Sequence, residues 1–112
     1  MREVSVEDRL KDLVEAAGGI CEKHVAPGRI GVPDRLVTWP WGEMDLVETK
    51  APGKGARGTQ VLDHKERAKR GVPVYLLDTK KKVERYARVR CEQAPWSEAV
   101  AELSLLWSVP LG

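Results

Sequence analysis

Three residues could do chemistry together: Asp34, and Glu48 and Lys50 further along the chain. Thr49 separates Glu48 from Lys50, so in a strand the two side chains fall on one face. A hairpin of residues 35–39 and 44–50 can bring that face beside Asp34, which stands where a Gly/Pro loop enters the first strand. Two carboxylates and an ammonium then meet at one sheet edge. With a backbone carbonyl, two carboxylates are the hard oxygen ligands that Mg²⁺ accepts, waters completing the octahedron. An ion held there polarises a phosphodiester oxygen and activates water, and a nearby Lys offsets charge developing on the phosphorus. The pattern alone is weak. In a chain that is 32% charged a Glu-x-Lys arises by chance, and Glu48 with Lys50 also reads as a cross-strand ion pair.

The elements that must position these residues follow from periodicity. Val6, Leu10, Leu13, Val14 and Ala17 recur at helical spacing over residues 5–17, with Ser5 as N-cap and Gly18-Gly19 as the stop. Residues 20–26 alternate as a half-buried strand, and residues 27–33 are loop chemistry. The hairpin turns at Pro40-Trp41-Gly42-Glu43, and residues 51–58 are too rich in Gly and Pro for regular structure. Thr59 can cap a helix to about residue 70, and residues 72–78 read as a buried strand. Residues 80–88 form a basic helix with Val83, Tyr86 and Ala87 inward, and residues 97–107 a last helix. The order α-β-β-β-α-β-α-α predicts an α/β protein, a mixed β-sheet flanked by helices.

The chain has 112 residues, enough for one domain. No apolar run reaches the length of a membrane span and no signal-peptide core follows Met1, so a cytoplasmic location and no membrane partner are expected. Cys21 and Cys91 lack metal-ligand spacing and are expected as buried thiols. The net charge of +2 argues against a nucleic-acid partner only until its distribution is seen. Residues 50–90 hold thirteen Lys and Arg against four Asp and Glu, and the remainder is correspondingly acidic. Local potential, not the total, decides what a surface attracts.

With these surroundings, the sequence resembles the virus-type replication-repair nuclease (VRR-NUC) family of the PD-(D/E)xK nuclease superfamily. The residues that carry the likeness are Pro27-Gly28-Arg29, Gly31, Pro33-Asp34-Arg35, Val47-Glu48-Thr49-Lys50-Ala51-Pro52-Gly53, Gln60 on the next helix and Gly71 before the buried strand. The resemblance implies a restriction-endonuclease-like core and a Mg²⁺- or Mn²⁺-dependent endodeoxyribonuclease leaving 5′-phosphate and 3′-hydroxyl ends. It implies Asp34 and Glu48 as metal ligands with the Thr49 carbonyl, Lys50 as the lysine that orients the attacking water, and Gln60 as support from the helix. The family often adds a glutamate from the first helix. Glu7 matches that place as a catalytic residue and further metal ligand, Glu15 less well, and Glu7 serves equally as a first-turn acid for the helix dipole. Thr49 departs from the hydrophobic residue more common there.

Six cations are candidates for holding DNA: Lys23, Arg29, Arg35, Lys54, Arg57 and Lys65. Lys54 and Arg57 sit among glycines before a helix start, where backbone N–H groups can approach phosphate. Arg29 and Arg35 flank Asp34 and either hold the cleaved strand or pair with the carboxylates. Lys69, Arg70, residues 80–82, Arg85, Arg88 and Arg90 extend a phosphate-neutralising surface, although residues 80–82 read equally as a solvated turn. His24 and His64 lack ligand partners at zinc spacing and are expected to be structural. Trp39 and Trp41 either stack on unpaired bases or a second subunit, or pack across the turn.

Residues 1–90 are expected to form the nuclease domain and residues 91–112 a C-terminal helical extension. Val100, Leu103, Leu106 and Trp107 there make an apolar stripe, with Leu105, Val109 and Leu111 nearby, and part of this surface is expected at a two-fold homodimer interface. A dimer with two active sites fits a structure-selective enzyme on branched DNA, such as a four-way (Holliday) junction, and the resemblance also points to a phage-encoded protein. The alternatives are a general or nicking DNA-processing nuclease, or a non-catalytic DNA-binding module.

Overall fold

A computed structural model describes residues 4–111. Helix α1 (Val6–Ala16) starts where Ser5 Oγ accepts the Asp8 N–H at 3.1 Å, and Glu7 and Asp8 place negative charge in its first turn. Its apolar stripe buries Leu10 and Val14 completely. Each such side chain contributes roughly 1.5–3 kcal/mol relative to exposure.

Strands β1 (Ile20–Lys23), β2 (Arg35–Thr38), β3 (Met44–Thr49) and β4 (Val74–Leu77) form one sheet in the order β1-β2-β3-β4. The first two pairings are antiparallel and β3 pairs parallel to β4. Helix α2 (Thr59–Ala68) makes the crossover that a parallel pair requires. The mixed sheet flanked by helices is therefore as expected. Val37, Val47, Tyr75 and Leu77 project to the side packed by α1 and by α3 (Lys80–Cys91), where Val83 and Tyr86 complete the core. Strand β1 stops three residues short of the expected end because the Pro27-Gly28 loop pulls the chain away after His24.

Four further expectations need correction. Thr59 is the first helical residue of α2, not its cap. Gly58 occupies the cap with φ +47°, and no side chain caps the helix. The last helix is shorter than its periodicity implies: α4 covers Trp96–Glu102, and a 3-10 turn follows over Ser104–Leu106. Trp107 is extended and pairs with Tyr75, while the Ser108 N–H bonds to the Val74 carbonyl at 2.7 Å. The outer edge of β4 offers backbone groups that a continued helix would leave unpaired, and this pairing overrides the helical pattern. Cys91 is exposed and so is no core thiol, whereas Cys21 is half-buried and packs against the core.

The fourth correction concerns Arg90. It is 1% exposed, so it is no part of a phosphate-facing surface. Its Nε donates to Asp45 Oδ2 at 2.8 Å and its Nη2 to Glu43 Oε1 at 2.7 Å. Trp39 Nε1 and the Tyr86 hydroxyl also donate to Asp45 Oδ2. A buried charge survives only when paired and hydrogen-bonded. Trp39 and Trp41 stack on each other with centroids 5.1 Å apart, and Trp39 is buried, so they pack across the turn.

Candidate active site

The Gly/Pro loop delivers Asp34 by three anchors. Gly31 has φ +78° and lies so close to the start of α2 that a Cβ would stand 2.3 Å from the Thr59 carbonyl oxygen. Only glycine fits that approach. Arg29 Nε donates to Asp63 Oδ1 on α2 at 2.6 Å. At the end of the loop, His24 Nδ1 donates to the Pro33 carbonyl at 2.8 Å and the His24 N–H bonds to the Asp34 carbonyl.

Asp34 is then gripped from the neighbouring strand. The Thr49 N–H donates to Oδ1 at 2.9 Å and the Thr49 hydroxyl to Oδ2 at 2.7 Å. Burial pushes the Asp34 carboxyl above its usual 3.8, the nearby Glu48 charge adds to that, and the two Thr49 bonds oppose it. Thr49 is buried, and its hydroxyl also lies 3.3 Å from Glu7 Oε1. Arg35 Nη2 holds Glu7 Oε2 at 2.9 Å. Glu15 pairs instead with Lys11 along α1. Of the two first-helix acids, Glu7 is the one the structure brings to Thr49.

Glu48 and Lys50 share a face as alternation requires, with Lys50 Nζ 3.5 Å from Glu48 Oε2. Glu48 is 2% exposed. Gln60 Nε2 approaches the same oxygen at 3.4 Å, and Gln60 Oε1 accepts the Arg57 N–H at 3.3 Å. The second bond sets which end of the amide faces Glu48. Asp34, Glu48, Thr49, Lys50 and Gln60 are thus brought together where β3 ends.

The donor set suits a hard divalent ion: two carboxylates and a strand carbonyl from Thr49, to which Mg²⁺ would add the waters it keeps. Among the described residues no three His, Cys, Asp or Glu side chains form a metal-holding group, so Glu7 does not join Asp34 and Glu48 in one cluster. A groove of about 630 Å³ opens beside the site, lined in part by Val4, Glu7, Thr49, Lys50, Pro52 and Lys81.

The other cations divide. Lys54 and Arg57 on the loop 51–58 and Lys65 on α2 are exposed and hold no ion pair among the described residues. Lys23 is exposed and in register with Arg35, at the site end of the sheet. Arg35 pairs with Glu7. Arg29 pairs with a carboxylate too, but with Asp63 rather than Asp34. Two contacts escape sequence reasoning. One is the Thr49 side chain on Asp34. The other is His64, fully buried with Nε2 3.6 Å from Glu48 Oε1. The only sequence signal for His64 is its place one helical turn after Gln60, on the same face of α2.

No protein-family model matches the chain. A curated relative, "Putative nuclease p44" from Acyrthosiphon pisum secondary endosymbiont phage 1, is 44% identical over 79 residues, covering 70% of this chain and 85% of the relative. A solved structure described as a "VRR_NUC domain" superposes with TM-score 0.69 at 32% identity, covering 74% of this chain and 90% of that one. Identity at this level over most of both partners, on the same element order, places the chain in the VRR-NUC family of the PD-(D/E)xK nucleases.

Proposed function

We propose that this chain is a divalent-metal-dependent endodeoxyribonuclease, using Mg²⁺ or Mn²⁺, with its active site at the end of β3. The observation that carries the reading is the meeting of Asp34, Glu48 and Lys50 with Gln60 at one buried-to-open edge of the sheet. Asp34, Glu48 and the Thr49 carbonyl would hold the ion, with Glu7 close enough to act through a water. Lewis-acid activation of a phosphodiester oxygen and of water is the chemistry such an ion supplies when bound.

The chain's own residues do the rest. Thr49 locks Asp34 through both carboxylate oxygens, and Gln60 fixes Glu48 from across the loop. Lys50, a mobile ammonium with three donors, orients the attacking water and offsets negative charge on the phosphorus. A DNA strand in the groove beside Glu7 and Lys50 would meet exposed Lys54, Arg57 and Lys65 at its phosphates. Lys23 lies at the site end of the sheet, and Arg29 and Arg35 would contribute around their existing pairs.

The substrate in this reading is branched DNA, a four-way junction cut by a homodimer, and the phage source of the p44 relative fits a phage-encoded enzyme. Residues 1–90 would carry the chemistry and residues 91–112 would act as the extension. Val100, Leu103 and Leu106 of the terminal stripe are taken up by the chain's own core, so the part of it left for the interface centres on Leu105. Leu105, Trp96, Met44 and Ile20 are among the exposed apolar side chains that a second copy would cover. Among the described residues no helix is long and apolar enough to cross a membrane. The test is cleavage of synthetic four-way junction, flap and linear duplex with Mg²⁺, alongside sedimentation of the protein. We expect the junction to be cut fastest by a dimer. Equal rates on junction and duplex would overturn the branched-substrate reading.

A further inference from the structure

The second oxygen of Glu48 looks into the protein rather than toward Lys50. Glu48 Oε1 and His64 Nε2 are both buried, both lack a hydrogen-bond partner, and stand 3.6 Å apart. Two facing orphans of this kind are rare, since an unpaired buried polar atom costs about 1–3 kcal/mol. A separation of 3.6 Å is too long for a hydrogen bond, but a small rotation of either side chain closes it. His64 is completely buried on α2, and its other nitrogen, Nδ1, lies 2.6 Å from Ser108 Oγ. Ser108 is itself fixed by the C-terminal segment, its N–H bonded to the Val74 carbonyl and its neighbour Trp107 paired with Tyr75.

We propose that Ser108 and His64 form a positioning relay for Glu48, through which the C-terminal segment prepares the site for its metal. This rests on Glu48 being a metal ligand, as proposed above. The Ser108 hydroxyl donates to Nδ1, which leaves the neutral imidazole with its proton on Nε2, facing Glu48 Oε1. The opposite tautomer would set a nitrogen lone pair against a buried carboxylate. With Oε1 held by the Nε2–H, Glu48 keeps Oε2 on the side of Lys50 and Gln60. Partners of this kind orient metal-binding carboxylates and raise affinity without touching the ion. His64 is a positioning residue, and through Ser108 the C-terminal segment becomes part of the site's support.

The test uses the full chain with Mn²⁺ as probe. Mn²⁺ affinity is measured by calorimetry for the wild type, His64→Leu, His64→Gln and Ser108→Ala, with folding checked by circular dichroism. We expect His64→Leu to weaken binding about 10-fold or more. His64→Gln, which keeps an N–H donor, should bind nearly as the wild type does, and Ser108→Ala should fall between. If His64→Leu does not fold, the His64→Gln and Ser108→Ala pair carries the comparison. Nitrogen-15 NMR of the metal-free protein reads the tautomer independently and should show Nε2 protonated and Nδ1 bare. A proton on Nδ1, or wild-type affinity in both His64→Leu and Ser108→Ala, overturns the relay. A wild type that binds no Mn²⁺ while showing the expected tautomer overturns the metal reading of the site instead.

Discussion

Replacing Gly31 by alanine should be far more damaging than replacing Gly28, although both lie in the loop that delivers Asp34 and both have φ near +80°. An L-residue in the left-handed region is disfavoured by about 1–2 kcal/mol, and both variants carry that cost. They also share the loss of unfolded-chain freedom, which cancels in the comparison. The difference lies in what the new Cβ meets. At Gly28 nothing stands within 4 Å, whereas at Gly31 it would reach 2.3 Å from the Thr59 oxygen and 2.9 Å from the Gln60 nitrogen. Those atoms are backbone at the start of α2 and cannot swing away, so loop and helix must separate, at about 1–3 kcal/mol for such overpacking. Gly31→Ala should therefore lose roughly 2–5 kcal/mol against about 1–2 for Gly28→Ala. Urea unfolding at constant slope measures both. Because Gln60 and Asp34 lie on the two sides of that contact, nuclease activity should fall much further in Gly31→Ala. Equal destabilisation of the two variants within about 0.5 kcal/mol would refute close approach as the reason for glycine at position 31.

Three other outcomes follow from the same geometry. Asp63 is buried, which raises its pKa, but hydrogen bonds from Arg67 and Arg29 outweigh this and hold it below 3.8. A depressed folded value gives stability that is present above the unfolded pKa and lost as pH falls through the folded one, so urea stability should drop below about pH 4 and the drop should shrink in Asp63→Asn. Arg90→Ala should destabilise the fold by about 3–5 kcal/mol by stranding the buried Asp45, and a change under about 1 kcal/mol by urea titration would contradict that. Thr49→Val keeps the shape but removes the hydroxyl bond to Asp34, a charge-assisted contact worth about 1.5–3 kcal/mol, and Mn²⁺ titration should show weaker binding that Thr49→Ser restores.

Asp34, Glu48 and Lys50 are legible in the sequence because the signals that place them are local. Two-residue alternation fixes a shared face, and Gly/Pro punctuation marks where the strands begin. Gln60 and Gly31 needed the family resemblance, and the structure supplies the physical cause for both. What was not legible depends on contacts between residues far apart in the chain. Arg29 meets Asp63 across 34 positions, His64 meets Ser108 across 44, and Asp45 meets Arg90 across 45. No periodicity marks a charge for burial, so Arg90 reads as surface and His64 as plain structure. Residues 103–107 fail for a related reason. Their helical spacing is real, but the open edge of β4 captures Trp107 as an extended pairing partner.

The measurement that bears most directly on the proposed function is cleavage of a labelled four-way junction and a duplex by the wild type and Lys50→Ala, with Mg²⁺ or with EDTA. We expect wild-type cleavage that needs the metal, and a loss of several powers of ten in Lys50→Ala with folding intact. Cleavage that persists in EDTA, or an undiminished rate in Lys50→Ala, would contradict the site proposed at Asp34, Glu48 and Lys50.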